Sequence, residues 1–368
     1  MSKTTRSAAV ARPPADAGKS TSSAIHERAE MSCDLYETQA RAEECDALSI
    51  ARAIVREVFK LRKLHPTEDS RPGDVEAEMD WHVEAILPFV ASDRQVRLIL
   101  PAFPGKSPNR MKTLGVLPDL AEKHALKNLA ALCMRIGKIY KPGVKFVICS
   151  DGYCFSDVVS IGDDEVAQYL KSLEEHAAAH FEGCFEFFDL KSHFGYLDDL
   201  TSKREELLIA YSDPVERIRR QCQDDPAMSA MYRGITRFLY EDSLGIERFR
   251  TWSNTAIQKM SRCNAYRVIQ RSNAWSRLIE DAFPNSLRLS IHPQFRVSKK
   301  IGIRLVDCDD VWLTPWHSVA VRENNRIVLK KRSEVDERNS VLVFSDGVPC
   351  HFVHHPQLFA GAAEAVSS

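Results

Sequence analysis

The chain has 368 residues, of which 44% are hydrophobic and 27% are charged, and its formal net charge is −1. This length allows one or two domains with a large core, and the near-neutral charge disfavours nucleic acid or an anionic membrane as a partner. No apolar run approaches the roughly 20 residues of a membrane helix. The ten cysteines form no CxxC pair and no signal-peptide core is visible, so we expect a cytoplasmic protein with reduced thiols.

The first part of the chain has an α/β pattern. We expect residues 1–30, rich in Ser, Ala and Pro, to be a disordered tail, and the folded domain to span residues 45–350. Apolar residues at helical spacing predict a helix over residues 45–64. Buried strands are predicted at Val96–Phe103 and Val144–Ser150, on either side of a helix that begins near Pro118. This order predicts a Rossmann-like crossover unit with a partly parallel sheet.

A helical middle and a strand-rich end follow. FSDVV (residues 155–159) is typical of a strand or turn, residues 164–180 of a helix, and CFEFFDL of a strand. Residues 199–281 have a largely helical pattern. Short strand-like runs then follow, namely SLRLSIH, KIGIRLV, VWLTPW, HSVAV, RIVLKK and VLVFSD. We therefore expect an α/β fold with a mixed sheet, organised as one continuous unit.

The stretch LPAFPGKSPNRMK (residues 100–112) contains Gly-Lys-Ser directly after the first predicted strand. A P-loop requires a glycine five residues before Gly105, where the chain has Leu100, and the flanking prolines remove backbone N–H donors. A P-loop is therefore disfavoured. Cationic and hydroxyl side chains of this stretch remain candidates for binding a phosphate or carboxylate, with a solvated basic turn as the alternative. These candidates are Lys106, Ser107, Arg110 and Lys112.

Polar residues follow the other predicted strands as well. SDGYCFSD, after the second strand, supplies Asp151 and Asp157, which are suited to binding a hydroxyl, an ammonium group or a metal, or to forming a turn. SLRLSIHP carries Arg288 and ends near His292, and TPWH ends in His317. A histidine at a strand end is a candidate general acid or base, with a packed structural histidine as the alternative.

Several separate motifs occur together in the order expected of the pyoverdine/dityrosine biosynthesis family, which the chain resembles over roughly residues 47–321. They are PAFPGKSPNRMKTLGVLPDLAE, SDGYCFSD, YRGITRF, RSNAWSRLI, FPNSLRLSIHP and WLTPWH. The family contains the isocyanide (isonitrile) synthases and a spore-wall dityrosine enzyme. The resemblance implies secondary metabolism in which the α-amine of an L-amino acid, tyrosine or tryptophan favoured, becomes an isonitrile. It also implies that C2 of ribulose 5-phosphate supplies the carbon, without a metal or other cofactor.

This chemistry implies roles for the candidate residues. Two anions, a phosphate and a carboxylate, need cationic partners, and the ammonium group of the amino acid must lose a proton before it attacks a ketone. The residues expected to be catalytic are Lys106, Asp151, Asp157, His292 and His317. Those expected to bind substrate are Ser107, Arg110, Lys112, Arg271 and Arg288, with Trp275 and Trp316 as aromatic walls.

Two alternatives remain open at this point. One is an enzyme of the dityrosine type that forms N-formyl-tyrosine, and the other is a noncatalytic relative that binds a small molecule. The retained charges at Lys106, Asp151, Arg288 and His292 argue against the second, because a decayed site is expected to lose them. We expect any later oxidation of the product to need a separate oxygenase.

Overall fold

A sheet of five parallel strands forms the centre of the molecule. The computed structural model describes residues 45–69, 73–195 and 199–355, so the expected tail lies outside the described residues. The strands are β1 (Val96–Pro101), β2 (Val144–Cys149), β3 (Phe185–Phe188), β4 (Leu287–Ser290) and β5 (Ile301–Gly302), in the order β3-β2-β1-β4-β5. Every neighbouring pair is parallel. β1 and β2 are apolar on both faces, which is typical of a parallel sheet covered by helices.

Helices precede, connect and cover these strands. They are α1 (residues 45–59), α2 (Pro66–Asp69), α3 (Val75–Ala91), α4 (Leu120–Gly137), α5 (Gly152–Val159), α6 (Asp163–His180), α7 (Leu190–Phe194), α8 (Leu200–Tyr211), α9 (Val215–Asp224), α10 (Pro226–Leu244) and α11 (Asn254–Ala282). α4 begins directly after Asp119. The Asp119 carboxylate accepts from the backbone N–H of Ala121, and the Glu122 carboxyl group accepts from the backbone N–H of Asp119, which together form a capping box. The proline before this cap marks the helix start, as the sequence predicts.

A second, mixed sheet follows the helical part. Its strands are β6 (Asp307–Cys308), β7 (Val319–Glu323), β8 (Arg326–Lys330), β9 (Ser340–Ser345) and β10 (Val348–His354), in the order β6-β8-β7-β10-β9. The hairpin pairs β7–β8 and β9–β10 are antiparallel, whereas β6–β8 and β7–β10 are parallel. Ala320 of β7 and Leu329 of β8 belong to the same buried cluster as the centre of the first sheet. The two sheets therefore share a core.

The chain reverses its direction across the first sheet between β1 and β4. From β1 it proceeds to β2 and β3 on one side, and after the helical part it returns to the other side of β1 as β4. At such a switch point the loops after the two strands diverge and leave a crevice outside their carboxyl ends. Strand order alone therefore indicates where a ligand would bind.

The α/β fold class is confirmed, and two local predictions are wrong. FSDVV is the end of α5 and not a strand or turn, because the chain enters a helix directly after Asp151 and packs it against α11. VWLTPW forms turns and a short 3-10 helix (Pro315–His317) instead of a strand. Among the described helices, none combines the length and apolar character needed to cross a membrane.

Candidate active site

A cavity of about 1060 Å³ lies at the carboxyl ends of β1, β2 and β4. Its walls come from the loop after β1, the start of α5, helices α10 and α11, and loops of the C-terminal part. Six of the candidate residues line it, namely Ser107, Lys112, Asp151, His292, Trp316 and His317. The cavity therefore occupies the position that the strand order indicates.

The loop after β1 is held in an unusual path. Phe103 has a φ of 59° and Gly105 a φ of 126°, and the latter value strongly favours glycine. A Cβ on Gly152 would lie 2.2 Å from the carbonyl oxygen of Pro104, so the loop approaches α5 closely only because residue 152 is glycine. Ser150 Oγ donates to the Phe103 carbonyl at 2.9 Å. These contacts fix the loop against the start of α5 and shape one wall of the cavity.

Lys106 does not face the cavity. Its side chain is fully enclosed, with Nζ donating to Asp119 Oδ2 at 2.7 Å and to the Pro315 carbonyl at 3.1 Å, and lying 3.0 Å from Glu122 Oε2. Burial disfavours the ammonium ion, but the two carboxylates outweigh it and raise the pKa of Lys106. Burial also raises the pKa of Glu122. Lys106 therefore ties the loop to α4 and to residue 315, instead of contacting a substrate anion as we expected.

Ser107, Lys112 and His317 meet around a carboxylate that the sequence did not single out, that of Asp242 in α10. Ser107 Oγ donates to Asp242 Oδ2 at 3.1 Å, and the Lys112 ammonium forms an ion pair with Oδ1. His317 Nδ1 lies 3.2 Å from Thr314 Oγ1, and the ring meets that of Phe238 edge-on at 5.1 Å. Burial lowers the pKa of His317 to about 4, so the imidazole is neutral at pH 7 and can accept a proton.

Asp151, just after β2, carries a carboxyl group with one oxygen that no described residue contacts by a hydrogen bond. It occupies the cap position of α5, yet its side chain makes no capping bond, and Oδ1 is buried without a hydrogen-bond partner among the described residues. Burial raises the pKa of Asp151 to about 7. A group with this pKa can both take up and release a proton near neutral pH. Because it lines the cavity, Asp151 is the strongest candidate for an acid or base.

His292 lines the cavity after β4, on the other side of β1 from Asp151. Its ring lies 6.2 Å from that of Trp312, and its backbone N–H donates to Ser290 Oγ at 3.1 Å. His292 is solvent-exposed, yet desolvation beside the cavity and the nearby Lys63 lower the pKa of its imidazole, which favours the neutral form. His292 and Asp151 therefore present two proton acceptors from neighbouring parts of the sheet edge.

The remaining candidates lie outside the cavity. Asp157 forms an ion pair with the buried Arg271 and accepts from Arg267 at 3.0 Å, while Arg204 lies 3.7 Å away. Burial alone would raise the pKa of Asp157, but these arginines lower it. Asp157 and Arg271 therefore join α5 to α11, and neither lines the cavity in which we expected them to contact substrate. Arg110 is exposed, and Trp275 and Arg288 lie between α11 and the sheet.

Residues that the sequence analysis missed form the apolar wall. Met231, Ile235 and Phe238 follow one another at helical spacing on α10, and Val268 of α11 faces the same cavity. Between them lies Gly234, where an added Cβ would meet nothing within 4 Å. This periodicity was visible in the sequence, but an apolar stripe on a helix is ordinarily buried in the core. Polar residues from the C-terminal part complete the lining, namely Asp310, Lys331 and Arg332.

Within the described residues, no group of three or more His, Cys, Asp or Glu side chains is placed to hold a metal ion. The expected independence from metals stays a prediction.

The fold and cavity define an α/β protein with a strand-end site equipped for proton transfer. A family model described as pyoverdine/dityrosine biosynthesis protein matches residues 86–343, and the chain belongs to this family. It is 40% identical to an L-tyrosine isonitrile synthase of Xenorhabdus nematophila over 84% of this chain and 92% of that protein. It is 38% identical to an L-tryptophan isonitrile synthase of Fischerella ambigua over 82% of this chain and 91% of that protein.

A solved structure shows the same fold. The crystal structure of the PvcA protein from Pseudomonas aeruginosa has a TM-score of 0.75 and 37% identity, covering 83% of this chain and 99% of that one. Together, these relatives support an isocyanide-forming enzyme.

Proposed function

We propose that the chain converts the α-amine of an aromatic L-amino acid, tyrosine or tryptophan, into an isonitrile. The carbon is proposed to come from C2 of ribulose 5-phosphate, and the reaction to need no metal or other cofactor. The relatives named as tyrosine and tryptophan isonitrile synthases support the amino-acid class. The observation that carries the proposal is the buried Oδ1 of Asp151, which has no hydrogen-bond partner in the described part of the chain and shares one cavity with an apolar wall.

The apolar wall suits the side chain of an aromatic amino acid. Ile235, Phe238 and Val268 lie on two helices that face the polar strand ends across the cavity. An aromatic ring placed against them is removed from water, at about 25 cal/mol for each Å² of apolar surface. This placement directs the amino group towards Asp151 and His292. The apolar side chains therefore orient the substrate, and the polar strand ends carry the chemistry.

Proton transfer is the main task that the polar side must perform. The amine must be neutral to attack the ketone carbon, and the expulsion of water, phosphate and the remaining sugar fragment needs further proton transfers. Asp151, with its pKa raised to about 7 by burial, is suited to accept the ammonium proton and return it to a leaving group. A positioned acid or base contributes roughly a hundredfold to ten-thousandfold to such a step. The neutral imidazoles of His292 and His317 are the second and third candidates.

The test is a labelling experiment. Purified protein is incubated with ribulose 5-phosphate labelled with ¹³C at C2 and a panel of amino acids, isonitriles are trapped with a tetrazine, and products are identified by mass spectrometry. We expect the label in the isonitrile carbon of a tyrosine or tryptophan derivative. Absence of label from every amino-acid product would refute the proposal. Label in a formamide at the earliest times, without isonitrile, would show the dityrosine-type activity instead.

The same assay tests the remaining expectations. Treatment with a chelator should leave the rate unchanged, and a loss that zinc or iron restores would contradict independence from metals. The expected cytoplasmic location and a separate downstream oxygenase are part of the proposal and need measurements in the source cell.

A further inference from the structure

Buried N–H donors without acceptors lie between α11 and the first sheet. Nε and Nη1 of Arg288 and Nε1 of Trp275 are buried and have no hydrogen-bond partner among the described residues. The Lys300 ammonium donates to the Ser276 hydroxyl at 3.3 Å. We call Arg288, Lys300 and Trp275 the donor cluster. It presents two positive charges and several N–H groups, and within the described residues no carboxylate forms an ion pair with either cation.

The donor cluster lies on the face of the first sheet that α11 covers, because the strand register places Arg288 and Phe188 on the same face. Arg288 on β4 is level with Ile99 on β1, and Trp275 of α11 stacks on Phe188 at 5.7 Å, above β3. Arg288 and Lys300 are near enough to act on each other electrostatically, since Arg288 adds to the effect of burial in lowering the pKa of Lys300. Glu280 is the carboxylate that acts on both, but it forms no ion pair with either in the described structure.

The donor cluster borders the proposed active site. Ser272, one helical turn before Trp275 and Ser276 on α11, lines the cavity, and the chain from Arg288 leads directly to His292. Both Arg288 and Asp151 act on the thiol of Cys149 at the end of β2. The donors therefore lie behind the part of the cavity where the proton acceptors stand.

Other cations of the cavity are already engaged. Lys112 is paired with Asp242, and Lys331 lies 3.1 Å from Asp310. Arg332 donates to the carbonyl oxygens of Arg110 and Thr113. A ligand anion binding there would compete with existing partners. Buried charges are ordinarily paired because water no longer solvates them, so the donor cluster is the place where an incoming anion gains most.

We propose that Arg288, Lys300 and Trp275 form the subsite for a phosphate dianion, the phosphate group of the sugar-phosphate co-substrate. This inference rests on the proposed function for the identity of the co-substrate. Two cations match the charge of a dianion, and the Arg288 guanidinium supplies charge-assisted N–H donors that have no acceptor among the described residues. The indole N–H of Trp275 supplies a third oxygen contact. A carboxylate has one charge and two oxygens and would leave part of the cluster unused.

The test compares Arg288→Gln and Lys300→Gln with a matched control, Arg97→Gln. Arg97 is exposed on β1, where its guanidinium lies 6.0 Å from the ring of Phe283. Binding of inorganic phosphate and of ribulose 5-phosphate is measured by calorimetry and by the shift in Tm on addition. We expect both cluster variants to weaken binding about 10- to 100-fold, the range for losing a charge-assisted bond. Arg97→Gln should bind as the parent does.

The folded state of the variants is checked by the Tm without ligand. Arg288→Gln removes an unpaired buried charge, so it should melt at or above the temperature of the parent. Unchanged phosphate binding in both cluster variants would overturn the inference. A raised KM for the amino acid with an unchanged KM for the sugar phosphate would overturn it too, because the cluster would then hold the carboxylate. Since phosphate binding needs no turnover, a chain that binds phosphate through the cluster but makes no isonitrile supports the subsite and refutes the proposed function.

Discussion

Lys106 Nζ donates to Asp119 Oδ2 at 2.7 Å inside the protein, with Glu122 completing a buried group of one cation and two carboxylates. Tyr169 adds a contact, its hydroxyl donating to Glu122 at 3.3 Å. The group joins the loop after β1 to the start of α4, and through the carbonyl of Pro315 to the segment that carries His317. Lys106 therefore positions two walls of the cavity without entering it.

This pairing predicts a loss of stability for Lys106→Met. Removing the ammonium strands two buried carboxylates, a change that costs about 3–5 kcal/mol in comparable buried pairs. The free energy of unfolding is measured by urea denaturation. Lys127→Met, which changes an exposed lysine of α4, the helix that also carries Glu122, is the control and should change little. The double variant Lys106→Met/Glu122→Gln should recover part of the loss, and a fully stable Lys106→Met would contradict the structural role.

Asp151→Asn should abolish activity and stabilise the protein at alkaline pH. The folded-state pKa of Asp151 is raised to about 7 by burial, so the folded protein prefers the protonated form. Its contribution to stability is fully present below pH 4 and is lost as the pH rises through 7. At about 1.4 kcal/mol per pKa unit the gain for Asn at pH 8 is at most a few kcal/mol. Tm is measured at pH 5 and pH 8.

We expect the difference in Tm between Asp151→Asn and the parent to grow from pH 5 to pH 8. The rate of the parent should rise with pH through about 7 if Asp151 acts as the base. A variant that keeps most of the parent rate would exclude Asp151 as the proton acceptor, whatever its effect on Tm.

His292→Gln should lower kcat while leaving the fold intact. In the proposed reaction the neutral imidazole of His292, which lines the cavity, accepts a proton, and glutamine keeps polar character without this basicity. We expect a loss of about a hundredfold to ten-thousandfold in kcat. His180→Gln is the control, because His180 is exposed at the end of α6, where its Nδ1 lies 3.0 Å from the carbonyl oxygen of His176. Equal rates for both variants would assign His292 to packing.

Sequence patterns predicted the elements of this fold better than the contacts of its charged residues. β1, β2 and α4 follow from apolar runs and a proline next to the helix cap, which are local signals. Lys106 was predicted to bind a substrate anion. The sequence could not show its actual partner, Asp119, because that residue is 13 positions away and only the fold brings the two together. α5 was missed because β-branched and aromatic residues suggest a strand, whereas its packing against α11 makes it a helix. Asp242 was missed because no motif accompanies it.

Gly234 is predicted to set the size of the amino acid that the cavity accepts. Glycine inside a helix costs about 0.5–1 kcal/mol relative to alanine, yet at this position a Cβ would meet no atom within 4 Å and would project into the cavity. We infer that the missing side chain leaves room for the aromatic ring. Gly234→Ala should therefore raise Tm slightly, and Gly234→Leu should raise the KM for tryptophan about tenfold or more, with a smaller effect for tyrosine.

Gly137→Ala is the matched control. A Cβ added at Gly137 would also meet nothing within 4 Å, but Gly137 lies in α4, away from the cavity lining. Steady-state kinetics with tryptophan, tyrosine and leucine give the KM for each variant. The leucine side chain at position 234 fills only the part of the cavity that an aromatic ring would occupy. The KM for small amino acids should therefore rise least. An unchanged KM for tryptophan in Gly234→Leu would place the aromatic ring away from α10 and against another wall of the cavity.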